Sequence, residues 1–158
     1  MSQYIVKQYS IIKLQYIFEI TNILYSCGKD MAIKYGLHHW DNSYLKTLLI
    51  SIYCSIKNKL FLVFEDKKPV ATFQIKQKNN KLHFEKLATL PSASHSGIGS
   101  FCLSYIESLA KEWNCSHVNM EVYAPSEHAI IFYKHRNYNI IGTSQSLKYP
   151  LIVMEKQL

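Results

Sequence analysis

Apolar and polar positions alternate at two different periods along this chain, and each change of period marks a new element. Tyr4 to Tyr9 alternates in twos and reads as a short strand. From Ser10, which offers an N-cap, Ile11, Leu14, Ile17, Phe18 and Leu24 share one helical stripe. Cys27-Gly28-Lys29 reads as a break, after which Asp30 caps a short continuation ending near Gly36. Leu37-His38-His39-Trp40-Asp41 has neither period and reads as a loop. Ser43 offers the cap of another helix reaching Ile56, with Leu45, Leu48, Leu49, Ile52 and Tyr53 expected to face inward.

The period then falls to two. Leu60 to Glu65, Val70 to Gln77 and Leu82 to Leu90 read as consecutive antiparallel strands. The turn chemistry of Asp66-Lys67-Lys68-Pro69 and Lys78-Asn79-Asn80-Lys81 separates them. Gly99 to Trp113 returns to helical spacing, with Ile98, Cys102, Tyr105, Ile106, Leu109 and Trp113 on its apolar side. His117 to Tyr123 reads as a strand, and Ser126 offers the cap of a helix to about His135. Tyr138 to Thr143 and Leu151 to Glu155 read as the closing strands. This order predicts an α+β domain: a mixed, mostly antiparallel sheet of about seven strands flanked by about four helices. It argues against a dinucleotide-binding fold, which would alternate strand and helix throughout.

Between a strand and a helix lies Ser94-His95-Ser96-Gly97-Ile98-Gly99-Ser100, which holds two of the chain's five glycines. A small-residue loop entering a helix N-terminus makes an anion cradle. Unpaired backbone N–H groups and the positive end of the helix dipole both face out of it. Glycine removes the Cβ that would keep a phosphate away from the backbone. The loop therefore points to a phosphate-bearing ligand.

With these residues the element order resembles the GCN5-related N-acetyltransferase (GNAT) superfamily. Its coenzyme loop, [Q/R]-x-x-G-x-[G/A], matches Ser94-His95-Ser96-Gly97-Ile98-Gly99, preceded by Pro91. Its second signature, N-x-x-A-x-x-x-Y followed by a G-F-like pair, matches Ser126-Glu127-His128-Ala129-Ile130-Ile131-Phe132-Tyr133 and then Asn137-Tyr138. Two positions depart: Ser94 stands for Arg or Gln, and Ser126 stands for Asn. The backbone donors survive both changes, and the hydroxyls of Ser94, Ser96 and Ser100, with His95, are expected to supply further donors. The resemblance covers 60–158 through its motifs and 1–59 through element order. It implies one domain over 1–158, with an acceptor-side N-terminal part (1–59) and an acetyl-coenzyme A-binding core (60–158).

The resemblance also implies a chemistry, direct attack of an amine on the acetyl thioester of acetyl-coenzyme A. Coenzyme contacts fall on Leu87, Ala88 and Thr89 of the fourth strand and on Ser94, His95, Ser96, Gly97, Ile98, Gly99 and Ser100. The second signature adds Ser126, Ala129, Phe132 and Tyr133. Tyr133 takes the place of the tyrosine that protonates the leaving thiolate, a role suited to a phenol with an ordinary pKa of about 10. For the general base, His83 and Glu85 lie two apart on one strand and emerge on one face, with Glu121 on the next strand as a third candidate.

Composition narrows the surroundings. A net charge of +7 over 158 residues favours anionic partners, but the basic residues are scattered, which favours a solvated basic surface over a nucleic-acid face without excluding nucleic acid. Cys27, Cys54, Cys102 and Cys115 show neither metal spacing nor C-x-x-C, and Cys102 fits a buried stripe. His38 and His39 lack a third ligand at helical spacing, so no metal is expected; Trp40 anchors that loop by packing. The apolar run from Leu45 to Ile56 falls short of the roughly 20 residues that span a bilayer, and no signal peptide is evident. A cytoplasmic protein acting on a small-molecule or peptide amine is expected, with a homodimer open, as dimers are common in the resembling family. Two alternatives stay open: an acyl-coenzyme A-binding module without turnover, and a toxin-like acetyltransferase directed at tRNA.

Overall fold

The computed structural model describes residues 4–9 and 14–158. Its elements run β1 (Tyr4–Tyr9), α1 (Leu14–Tyr35), α2 (Tyr44–Lys57), β2 (Lys59–Glu65), β3 (Lys68–Lys78) and β4 (Lys81–Thr89). After a 3₁₀ turn at Pro91–Ala93 come α3 (Ile98–Glu112), β5 (His117–Tyr123), α4 (Glu127–Lys134), β6 (Asn139–Ser146) and β7 (Tyr149–Gln157). The strands form one seven-stranded sheet in the order β1-β2-β3-β4-β5-β7-β6. Every pairing is antiparallel except β4 with β5. The expected α+β architecture, seven strands with four helices, is the one observed.

Strand alternation divides the core into two layers. Leu60 and Leu62 pack with Ile17, Ile20, Ile23 and Leu24 of α1 on one face of the sheet. Phe61, Val63, Phe73 and Ile75 pack with Ile98, Cys102, Leu103 and Ile106 of α3 on the other. Covered on both faces, β2 is apolar without interruption from Leu60 to Val63. No helix among the described residues is long and apolar enough to cross a membrane.

Three expectations about the N-terminal helices need correction. First, Cys27-Gly28-Lys29 does not interrupt α1, which runs unbroken from Leu14 to Tyr35. A Cβ on Gly28 would stand 2.3 Å from the Trp40 carbonyl oxygen, so glycine is there for close approach of the 37–41 loop. Second, α2 turns its other side inward: Thr47, Ser51 and Cys54 are buried while Leu45 (65%), Leu49 (59%) and Tyr53 (57%) stay exposed. Small residues let α2 lie close to its neighbours, and the two hydroxyls are satisfied within the helix by Ser43 O and Thr47 O. Leu48 and Ile52 do pack inward, as expected. Third, Leu14 and Phe18 of the α1 stripe are exposed. The predicted cap Ser10 and the stripe residue Ile11 lie outside the described residues.

Candidate active site

The single parallel pairing opens the sheet. β4 and β5 are joined only from Lys81↔His117 to His83↔Asn119, and beyond that point no pair links them. The edge of β4 that faces β5 therefore carries backbone groups with no strand partner from Phe84 onward. A bulge adds to this. Gln74 pairs with Glu85 and Thr72 with Ala88, so Phe73 alone faces both Lys86 and Leu87. Lys86 adopts φ 52°, the left-handed geometry that turns the following peptide units.

The next segment is a turn that consumes its own hydroxyls. Ser94 Oγ donates to Pro91 O at 2.8 Å and Ser96 Oγ donates to Ala93 O at 2.6 Å. Neither proton is left for a ligand, contrary to the expected role of these two side chains. The amides at the start of α3 are not consumed in this way. The first bond into α3 is Phe101 N–H to Gly97 O, so the N–H groups of Ile98, Gly99 and Ser100 precede the helical ladder. Gly97 caps the helix at φ 87°, a conformation that suits glycine. A Cβ on Gly99 would meet the Phe132 ring at 3.4 Å, and its absence keeps the cradle open.

α4 forms the facing wall. Ser126 sits at its N-cap and is buried, but its side chain makes no capping bond; its carbonyl accepts from Ala129 and Ile130. The C-terminus closes with Tyr138 N–H on Tyr133 O and Asn137 N–H on Lys134 O, around Asn137 at φ 65°. Asn137 thus takes the left-handed position of the glycine in the G-F pair. Tyr138 is buried, donates to Glu107 and lies edge-on to Phe84 and at 5.9 Å from the Tyr133 ring. Tyr133 is buried too, and it forms part of the cavity wall. Burial drives its pKa well up, so it stays protonated. At the end of α4, the Arg136 guanidinium lies 3.8 Å over the Phe132 ring and donates to Phe132 O at 3.1 Å and to Ser100 Oγ.

The remaining wall comes from α1 and the 37–41 loop. Lys29 of α1 pairs with Asp41, which also meets His38 at 3.1 Å, and Gly28 receives Trp40. Thus held, His39 packs 4.2 Å from the Tyr123 ring, with its Nδ1 buried and without a hydrogen-bond partner among the described residues. Burial, aided by the charges of His128 and Lys86, lowers its pKa from 6.5 to about 4, so the imidazole is neutral at pH 7. Tyr35 stacks on His128 at 4.1 Å, linking α1 to α4 across the mouth. Cys27 lies in the same wall, and burial pushes its thiol up to about 11. It is a protonated thiol at neutral pH, a poor nucleophile.

These walls enclose a cavity of about 590 Å³. A sequence model of the acetyltransferase (GNAT) family matches residues 24–138, more than half of the chain. The chain belongs to that family. It stands thereby among acyltransferase enzymes. Solved structures share the fold over nearly the whole length at low identity. A PaiA N-acetyltransferase from Thermoplasma acidophilum, in complex with coenzyme A, is 18% identical with a TM-score of 0.70, covering 99% of both chains. The ribosomal-protein alanine N-acetyltransferase of Escherichia coli is 13% identical with a TM-score of 0.71, covering 97% of this chain and 94% of that one. A GNAT-family acetyltransferase from Staphylococcus aureus is 14% identical with a TM-score of 0.71, covering 97% and 99%. No curated protein sequence matches the chain.

The GNAT cavity gathers most of the residues singled out from sequence. Glu85, Leu87, Ala88 and Thr89 line it from β4, and Ser94, His95, Gly97, Ile98, Gly99 and Ser100 from the loop and α3. Ser126, Ala129, Phe132 and Tyr133 line it from α4, and Glu121 from β5. His83 and Ser96 are not among the lining residues; His83 Nδ1 sits 2.9 Å from Asn119 Oδ1, where the strands are still joined. Sequence reasoning missed Lys86, His39, Tyr35, His128 and Arg136. Among the described residues, no three His, Cys, Asp or Glu side chains are grouped to hold a metal ion.

Proposed function

We propose that this GNAT protein transfers the acetyl group of acetyl-coenzyme A to a primary amine by direct attack on the thioester. The observation that carries the reading is a backbone cradle and a protonated Tyr133 lining the same cavity beside the unpaired edge of β4. Glycine at 97 and 99 and the free amides of 98–100 suit the coenzyme diphosphate. The open edge of Leu87 to Thr89 suits the amides of the pantetheine arm, as an added strand would.

In the reaction, the amine nitrogen bonds to the acetyl carbon, the carbon–sulfur bond breaks, and the thiolate takes the Tyr133 proton. The amine must be neutral to attack. Glu85, bonded by Asn58, and Glu121, accepting from Ser144 at 2.6 Å, are the carboxylates of the cavity. Neither has a cation partner among the described residues, so either takes the ammonium proton, directly or through water. His83 at the apex of the split serves through Asn119 in positioning β5. The protonated Cys27 thiol favours direct transfer over an acyl-enzyme.

The acceptor enters from the α1 side, among Tyr35, His39 and His128. Release of free coenzyme thiol from acetyl-coenzyme A, measured across a panel of primary amines, tests the reading. Amine-dependent release supports it; tight coenzyme binding without release from any amine would make the protein an acyl-coenzyme A-binding module.

A further inference from the structure

One cation near the cradle has no anion to answer it. The first-turn amides of α3 carry the positive end of that helix dipole. Arg136 places its guanidinium against the same turn, on Ser100 Oγ, a position that disfavours a cation. No carboxylate pairs with it among the described residues. Arginine has five N–H donors, and only two are engaged, on Phe132 O and Ser100 Oγ. The Phe132 ring beneath it and the Phe132 carbonyl hold the fork in place. Ser100 differs from its two loop neighbours as well. The hydroxyls of Ser94 and Ser96 donate within the turn, whereas Ser100 accepts from Arg136 and keeps its own proton to donate.

We propose that Arg136 and Ser100 together bind the diphosphate of the coenzyme, the guanidinium standing in for the long polar side chain absent at Ser94. The inference rests on the coenzyme-binding reading above. A diphosphate oxygen at the α3 N-terminus would accept from the free amides, the Ser100 hydroxyl and the unspent guanidinium N–H groups. It would also neutralise a cation set against the helix dipole. Arginine suits the task because its planar fork meets two phosphate oxygens at once. The chain thus supplies from the end of α4 a charge that its loop lacks.

Calorimetric titration of R136A and R136Q with coenzyme A and with dephospho-coenzyme A, which lacks the 3′-phosphate, tests this. Both variants should bind both ligands about ten- to a hundredfold more weakly than the unaltered protein. Binding of phosphate-free pantetheine, followed by amide chemical shifts, should be unchanged. R136Q keeps a hydrogen-bonding head without charge and serves if R136A melts at room temperature. Coenzyme affinity within threefold of the unaltered protein would overturn the proposal. So would a loss seen with coenzyme A but not with dephospho-coenzyme A, or an equal loss with pantetheine, which would mark a structural role. If the unaltered protein bound neither nucleotide, the coenzyme reading itself would fall.

Discussion

The two walls of the cavity are made of different material. On the proposed coenzyme side, β4, the 94–100 loop and the start of α3 present mainly backbone: a bulge at Lys86, a left-handed Gly97 and amides ahead of the helical ladder. On the proposed acceptor side, α1 and the 37–41 loop present side chains, Tyr35, His39 and Trp40, held by Gly28 and by the Lys29–Asp41 pair. A backbone wall binds what is constant in every turnover and tolerates substitution wherever φ and ψ survive. A side-chain wall sets what is particular to this enzyme, and its specificity changes with each residue.

Four substitutions set the walls against each other. The largest effect is expected for Tyr133→Phe, which removes the proposed proton donor and should lower turnover about a hundredfold or more while coenzyme affinity holds within threefold. Steady-state kinetics beside calorimetry reads both; unchanged turnover would move the acid elsewhere. Gly99→Val should drive a branched side chain into the Phe132 ring and the cradle, weakening coenzyme A at least about tenfold. Coenzyme affinity equal to that of the unaltered protein would show that the ligand does not approach this turn.

Gly28→Ala belongs to the other wall. Its Cβ would collide with the Trp40 carbonyl and displace the 37–41 loop, destabilising the fold by about 1–3 kcal/mol in chemical denaturation. The amine KM should rise while the coenzyme Kd stays put, the reverse of the Gly99→Val pattern. The smallest effect is a pH dependence. His39 is held near 4 in the fold against an ordinary 6.5, so between these values the unfolded chain binds a proton that the folded one refuses. Its contribution is full above pH 6.5 and is lost as pH falls toward 4. The melting temperature of His39→Phe should therefore drop less over this window than that of the unaltered protein, and parallel curves would contradict the assignment.

The same contrast decides what could be read from sequence. Gly97 and Gly99 announce themselves because few residues fit their conformation and clearance, and the strand periods place them after β4. Tyr133 is found through its spacing from Ala129. Gly28 is misread because its reason is Trp40, a contact no local rule reveals; its propensity cost of about 1 kcal/mol looks like a break until that contact is seen. The inward face of α2 is misread because apolar residues ring the helix, leaving packing distance, and so Thr47, Ser51 and Cys54, to choose the side. Arg136 gives no sequence signal, since its meaning lies in Ser100, 36 positions away. His83 and Glu85 share a strand face, but only the split beyond His83↔Asn119 shows which of them reaches the cavity.

The claim that backbone groups of the β4–α3 wall hold the coenzyme is tested most directly by amide chemical shifts during titration with coenzyme A. The largest shifts are predicted at Leu87, Ala88, Thr89, Gly97, Ile98, Gly99 and Ser100, with the α2 amides unmoved. Shifts concentrated on α1 and the 37–41 loop, or no shifts at saturating coenzyme A, would contradict it.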